Sequence, residues 1–118
     1  MRILNLTRST ELASSALPAR SFRLRLVGLL GRSSLEPGEA LVLQPCSSIH
    51  TAFMRFAIDV LYLDRSGRVV KAVASLKPFR MSGVLRGGDA VIELPSGAIA
   101  ATDTAVGDEI VLESALSS

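Results

Sequence analysis

Phe53-Met54-Arg55-Phe56-Ala57-Ile58-Asp59-Val60-Leu61-Tyr62-Leu63-Asp64-Arg65-Ser66-Gly67-Arg68-Val69-Val70-Lys71-Ala72-Val73-Ala74 reads as two strands and the turn between them. Phe53, Phe56, Ile58, Val60, Tyr62 and Leu63 suit a pleated, half-buried surface, and only Arg55 and Asp59 interrupt them. Asp64-Arg65-Ser66-Gly67 follows, polar and ending in a residue free to adopt positive φ. Val69, Val70 and Val73 then return the chain. The pattern predicts an antiparallel hairpin over Phe53–Asp64 and Arg68–Ala74.

Working outward, Ala40-Leu41-Val42-Leu43 is a short apolar run between the Pro37-Gly38 turn and Pro45. Ala90 to Leu94 is another, opened by Gly87-Gly88 and closed by Pro95-Ser96-Gly97. Ile3 to Thr7 predicts a first strand, and Glu109 to Leu112, after the Gly107-Asp108 turn, a last one. Ser9, Thr10, Ser14 and Ser15 predict a polar, partly helical connection. In Pro18 to Gly31, Phe22, Leu26 and Leu29 share one helical face, and the flanking Pro and Gly suit a start and a stop. A helix is favoured there, although the alternation of Phe22, Leu24 and Leu26 with Arg23 and Arg25 also fits a strand. Ala98 to Thr104 predicts one or two helical turns, and Lys77-Pro78 and Ser82 to Gly88 predict loop. Short strands with turns every 8–12 residues predict a mainly β (α+β) fold. The expected form is a small barrel-like or rolled antiparallel sheet with one or two short helices.

The 118 residues are one domain's worth of chain, read as a single domain over 1–118. Hydrophobic residues make up 48% and aromatics only 4%, so the core must be aliphatic. That scarcity of rings argues against single-stranded nucleic-acid platforms, which stack bases on aromatic side chains. The net charge of +2 is too small to imply a polyanion partner, but its distribution is uneven. Residues 1–34 carry six Arg against Glu11, residues 55–88 carry seven cations against Asp59 and Asp64, and residues 89–118 carry six acids and no cation. Either basic and acidic strands neutralise one another in the fold, or the arginines form an anion-binding face. One cysteine, Cys46, allows no intrachain disulfide, and with the single His50 it cannot make a Cys/His zinc site. No apolar run reaches the length of a membrane span, and the first residues lack a secretory h-region. The expectation is a cytoplasmic chain with no metal, no cofactor, no nucleic-acid partner and no membrane association.

Several motifs, taken in order, resemble an uncharacterised bacterial and archaeal family, domain-of-unknown-function family 192. Arg25-Leu26-Val27-Gly28-Leu29-Leu30-Gly31-Arg32 resembles its Arg-x-x-Gly-Leu-Met-x-Arg segment. Cys46, Ile49-His50-Thr51, Met54, Phe56 and Ile58-Asp59-Val60 resemble the centre of one branch, with Phe53-Met54-Arg55-Phe56 where another branch carries a Trp-Met-Lys-Asn type sequence. Gly67-x-Val69-Val70, Ile92-Glu93-Leu94-Pro95-x-Gly97 and Gly107-Asp108 complete a match from about Ala19 to Leu112. The resemblance implies a mostly β fold with a small helical part, and no reaction.

Among candidate site residues, Cys46 and His50 form Cys-x-x-x-His, which a thiol nucleophile needs close in space. In an extended strand they would stand ~13 Å apart, and no third orienting group is specified, so a buried Cys and a hydrogen-bonding loop His are favoured. Asp59 and Glu93 each sit between apolar neighbours, as structural or pocket acids. Asp59 is expected to pair with Arg25, Arg55 or Arg80, because burying a lone charge is costly. No catalytic residue is assigned. His50, Thr51 and Arg55, with Arg80, offer several donors suited to a polar ligand or a carboxylate. The sequence therefore reads as a non-enzymatic binding or accessory module for a small polar or anionic ligand or a protein partner segment. The alternatives are a small hydrolase or lyase using His50, Asp59 and Glu93, and a purely structural partner subunit.

Overall fold

The computed structural model describes residues 1–18, 35–43, 56–77 and 89–113. Its strands are β1 (Arg2–Asn5), β2 (Thr10–Ala13), β3 (Ser15–Pro18), β4 (Glu39–Leu43), β5 (Ile58–Leu63), β6 (Val69–Leu76), β7 (Ala90–Pro95) and β8 (Ile110–Glu113), with one short helix, α1 (Ala98–Thr102). One sheet runs β2-β1-β8 and the other β3-β4-β7-β5-β6. The predicted hairpin is present: β5 and β6 pair antiparallel, with Leu61 facing Ala72 and Tyr62 facing Lys71. Its tip is tied by the Asp64 carboxylate, which accepts from the Ser66 hydroxyl at 2.6 Å and from the Ser66 and Arg68 N–H groups. The first strand begins in Ile58, not Phe53, and Phe53 to Arg55 lie outside the described residues.

Two expectations are corrected. The polar connection after β1 is not helical: it forms β2 and β3, whose apolar positions Leu12, Ala13 and Ala16 are buried. Ser9 turns the chain at φ 55, so Thr10 returns opposite Asn5. The sheet is also not wholly antiparallel, because β3 pairs parallel with β4. Of the segment favoured as a helix only Pro18 is described, and it ends β3.

Two junctions roll the sheets together. The Ala16 N–H donates to the Met1 carbonyl at 2.8 Å, tying β3 to the start of β1. At the other side Arg68 bridges Glu109, the Val69 N–H donates to the Asp108 carbonyl and the Ile110 N–H to that of Gly67. The ladders remain two sheets, so the fold is barrel-like without a closed ladder among the described residues. Gly67 decides the second junction. It lies at φ +86, and a Cβ there would stand 2.6 Å from the Ile110 carbonyl oxygen. Gly67→Ala is expected to cost about 2 kcal/mol, read as a lower denaturant midpoint, because both the strained φ and a backbone clash must be absorbed.

The sheet of five separates two clusters. Leu61, Leu63, Ile92, Leu94, Ala40 and Val42 pack with Ile3, Leu12 and Ile110. Leu41, Leu43, Ile58, Val60, Tyr62 and Val91 form the opposite face with Leu35. No helix among the described residues is long and apolar enough to cross a membrane.

Candidate functional site

Asp59 is fully buried on the first of these faces, opposite Leu94. Its partners are not the arginines expected from sequence. One carboxylate oxygen, Oδ1, accepts from the Ser75 N–H at 2.8 Å, and Oδ2 accepts from the N–H groups of Gly97 at 3.1 Å and Ile99 at 2.8 Å. Gly97 at φ 99 is the N-cap of α1 and supplies no side chain, so a carboxylate from a neighbouring strand does the capping. Three backbone donors replace a counter-ion, and Asp59 serves as the pin between β5, the end of β6 and α1.

Glu93 is equally buried but on the other face. It stands opposite Val60 on one side and Leu41 on the other, both members of the second cluster. The two carboxylates are therefore separated by the sheet itself, so they do not form the paired acid and base that the hydrolase or lyase alternative requires. On Glu93's face Lys71 Nζ lies 5.5 Å from the centroid of the buried Tyr62 ring, a cation–π contact.

A third polar constellation is one the sequence reading did not single out. The Asn5 amide donates to Asp108 Oδ2 and to Thr104 Oγ1, both at 3.0 Å, and its carbonyl oxygen accepts the Arg8 N–H. Asp108 Oδ2 also accepts from Arg8 Nε at 3.1 Å and the Ala105 N–H at 3.0 Å. The Asn5 amide above all, with the Ala105 N–H and the Arg8 guanidinium, holds the Asp108 carboxyl below its ordinary value against the opposing effect of burial. This corner is a hydrogen-bonded lock between the first and last strands. The only sequence trace of it is a polar Asn5 between Leu4 and Leu6 and the Gly107-Asp108 turn.

The described surface holds a cleft of about 370 Å³ between β2, the Pro37-Gly38 turn and α1. Leu12, Pro37, Pro95, Ala98 and Ala101 line it, and Glu11, Ser96 and Thr102 are its polar residues. Ser96 Oγ lies 2.6 Å from Ser75 Oγ, directly beside the Asp59 pin.

His50, Thr51, Arg55 and Arg80 lie outside the described residues, as do Cys46 and Arg25. The described residues fix the attachment of the segments that carry them. Pro18, Leu43 and Ala90 stand at one end of the adjacent strands β3, β4 and β7, with Pro18 facing Val42 and Leu43 facing Val91. Segments 19–34 and 44–55 leave the sheet at this end and segment 78–88 rejoins it there, while 44–55 and 78–88 also join the opposite end, where Ile58 at the start of β5 pairs with Leu76 at the end of β6. Among the described residues no three His, Cys, Asp or Glu side chains gather to hold a metal ion.

Comparison with known proteins agrees with this architecture. Residues 4–112 match the family described as Uncharacterized ACR, domain of unknown function 192. A UPF0127 protein of Pyrococcus furiosus is 32% identical over 114 residues, covering 92% of this chain and 95% of that protein. The crystal structure of a protein of unknown function from Novosphingobium aromaticivorans superposes with a TM-score of 0.80 at 18% identity, covering 95% of this chain and 84% of that one. The structural likeness shows a shared fold alone.

Proposed function

The chain belongs to domain-of-unknown-function family 192, and from that premise we propose that it is a non-enzymatic binding module for a small polar or anionic ligand. The observation that carries this reading is the segregation of charge. Segments 19–34, 44–55 and 78–88 hold seven of the 13 Lys and Arg, all seven of them Arg, together with the sole His, and none of the 11 Asp and Glu. Every acid lies among the described residues. Segments 44–55 and 78–88 adjoin neighbouring strand ends, since Ile58, which opens β5, pairs with Leu76, which closes β6. Arg is suited to a bidentate grip on carboxylate or phosphate. In this reading His50, Thr51, Arg55 and Arg80 are the ligand-binding residues. The separation of Asp59 from Glu93 by the sheet, and the satisfied state of Asp59 and Asp108, favour binding over acid–base chemistry.

A thermal-shift panel of phosphate, nucleotides, dicarboxylates and neutral sugars tests this. Anions are expected to raise the melting temperature in proportion to the logarithm of their concentration, since a ligand that binds only the folded state stabilises it by mass action. Arg55→Gln and Arg80→Gln are expected to weaken that response, each by about tenfold in affinity for a lost charge-assisted contact. A panel in which anions do no more than neutral sugars, or variants that respond like the parent, would contradict the proposal.

A further inference from the structure

The cleft beside α1 has a chemistry opposite to that of the arginine segments. Among the described residues its lining contains one charged residue, Glu11, and no Lys, Arg or His. Glu11 meets Arg2, but both contacts, Nε at 3.0 Å and the terminal nitrogen at 2.9 Å, are made to Oε2, and Oε1 takes part in neither. The same Arg2 also pairs with Glu113 at 3.1 Å, so one cation is shared by two carboxylates and the group keeps a net negative charge. The rest of the wall is aliphatic, from Leu12, Pro37, Pro95, Ala98 and Ala101. An anion entering would meet a carboxylate whose described cation, Arg2, is held between Glu11 and Glu113. A cation with an alkyl body would meet both a charge of the right sign and an apolar surface.

We propose that this cleft binds an aliphatic ammonium ligand, its alkyl chain lying between the two prolines and α1 and its ammonium donating to Glu11 Oε1. The volume falls in the range of small-ligand pockets. The wall is already in place, because Asp59 fixes the Gly97 and Ile99 amides at the head of α1, so little ordering opposes binding. A Cβ built at Gly97 meets no atom within 4 Å, so the rim over the ligand is unobstructed. None of these residues belongs to the anion site proposed above, so either site can fail without the other.

The test is an NMR titration of the 118-residue chain with 1-aminopentane, 1-pentanol and pentanoate at equal ionic strength. The amine is expected to give saturable amide shifts confined to Glu11, Leu12, Gly38, Ser96 to Ala98, Ala101 and Thr102. Pentanol is expected to bind the same residues about tenfold more weakly, the worth of one charge-assisted hydrogen bond, and pentanoate more weakly still. Glu11→Gln, an exposed and near-isosteric change, is expected to bring the amine down to the affinity of pentanol while leaving pentanol unaltered. Ala101→Phe, at an exposed helical position, should remove binding of both by filling the cleft. Pentanoate binding as tightly as the amine, an amine affinity indifferent to Glu11→Gln, or shifts that map elsewhere would each overturn the proposal.

Discussion

Asp59→Ala is expected to lower the stability of the chain by about 3 kcal/mol, seen as a fall of about 12 °C in melting temperature. The substitution leaves the N–H groups of Ser75, Gly97 and Ile99 without their acceptor and opens a gap beneath α1. Water can reach part of that edge, since Ser75 and Gly97 are exposed, which keeps the loss below the sum of three buried orphans. Asp59→Asn, which retains one acceptor, should cost about half as much. A parental melting temperature in the alanine variant would show that the carboxylate is not the pin described above.

Asn5→Ala is expected to cost about 3 kcal/mol in denaturant unfolding at neutral pH, because one buried amide serves Asp108, Thr104 and the Arg8 N–H together. The same corner sets the acid limb of stability. In the folded chain the Asp108 carboxyl is held below its ordinary value, so its contribution is complete above the unfolded pKa of about 3.9 and fades as pH falls through the folded value. Asp64, lowered chiefly by the Ser66 hydroxyl and the Arg68 N–H, acts in the same direction from an exposed turn. Stability should be level from about pH 5 to 8 and decline below about pH 4. Asp108→Asn should start lower and decline less steeply, with Arg8 and Asp103 the charged groups that face the position. An acid limb identical in the two proteins would remove Asp108 from this role.

The β5–β6 hairpin was legible because its signals are local: β-branched and aromatic residues on either side of a polar turn closed by Gly67. The run Ala40 to Leu43 and the strand Ala90 to Leu94 were legible for the same reason, as buried apolar stretches bounded by Pro and Gly. Strands β2 and β3 were not, because Glu11, Ala13, Ala16 and Pro18 carry weak strand preference. Pairing with Asn5 and with β4 overrides it. The burial of Asp59 and Glu93 followed from their apolar neighbours, but their relation did not. Which face each occupies depends on a register that brings Asp59 against Leu94 and Glu93 against Val60, and one residue of slip would bring both to one face. The partners of Asp59 were beyond reach for a different reason. Sequence suggests charged partners, whereas backbone N–H groups at a turn and a helix head leave no mark on composition. Asn5 and Asp108, 103 residues apart, meet only once the last strand is laid beside the first.

An amide and side-chain NMR titration of the chain with inorganic phosphate and then citrate tests most directly the anion site proposed at His50, Thr51, Arg55 and Arg80. Saturable shifts at those four residues, lost in Arg55→Gln and absent from the α1 cleft, with both probes recovered chemically unchanged, are the predicted result. Shifts that never saturate, that fall on residues 95–102 instead, or that accompany turnover of a bound phosphate ester would contradict it.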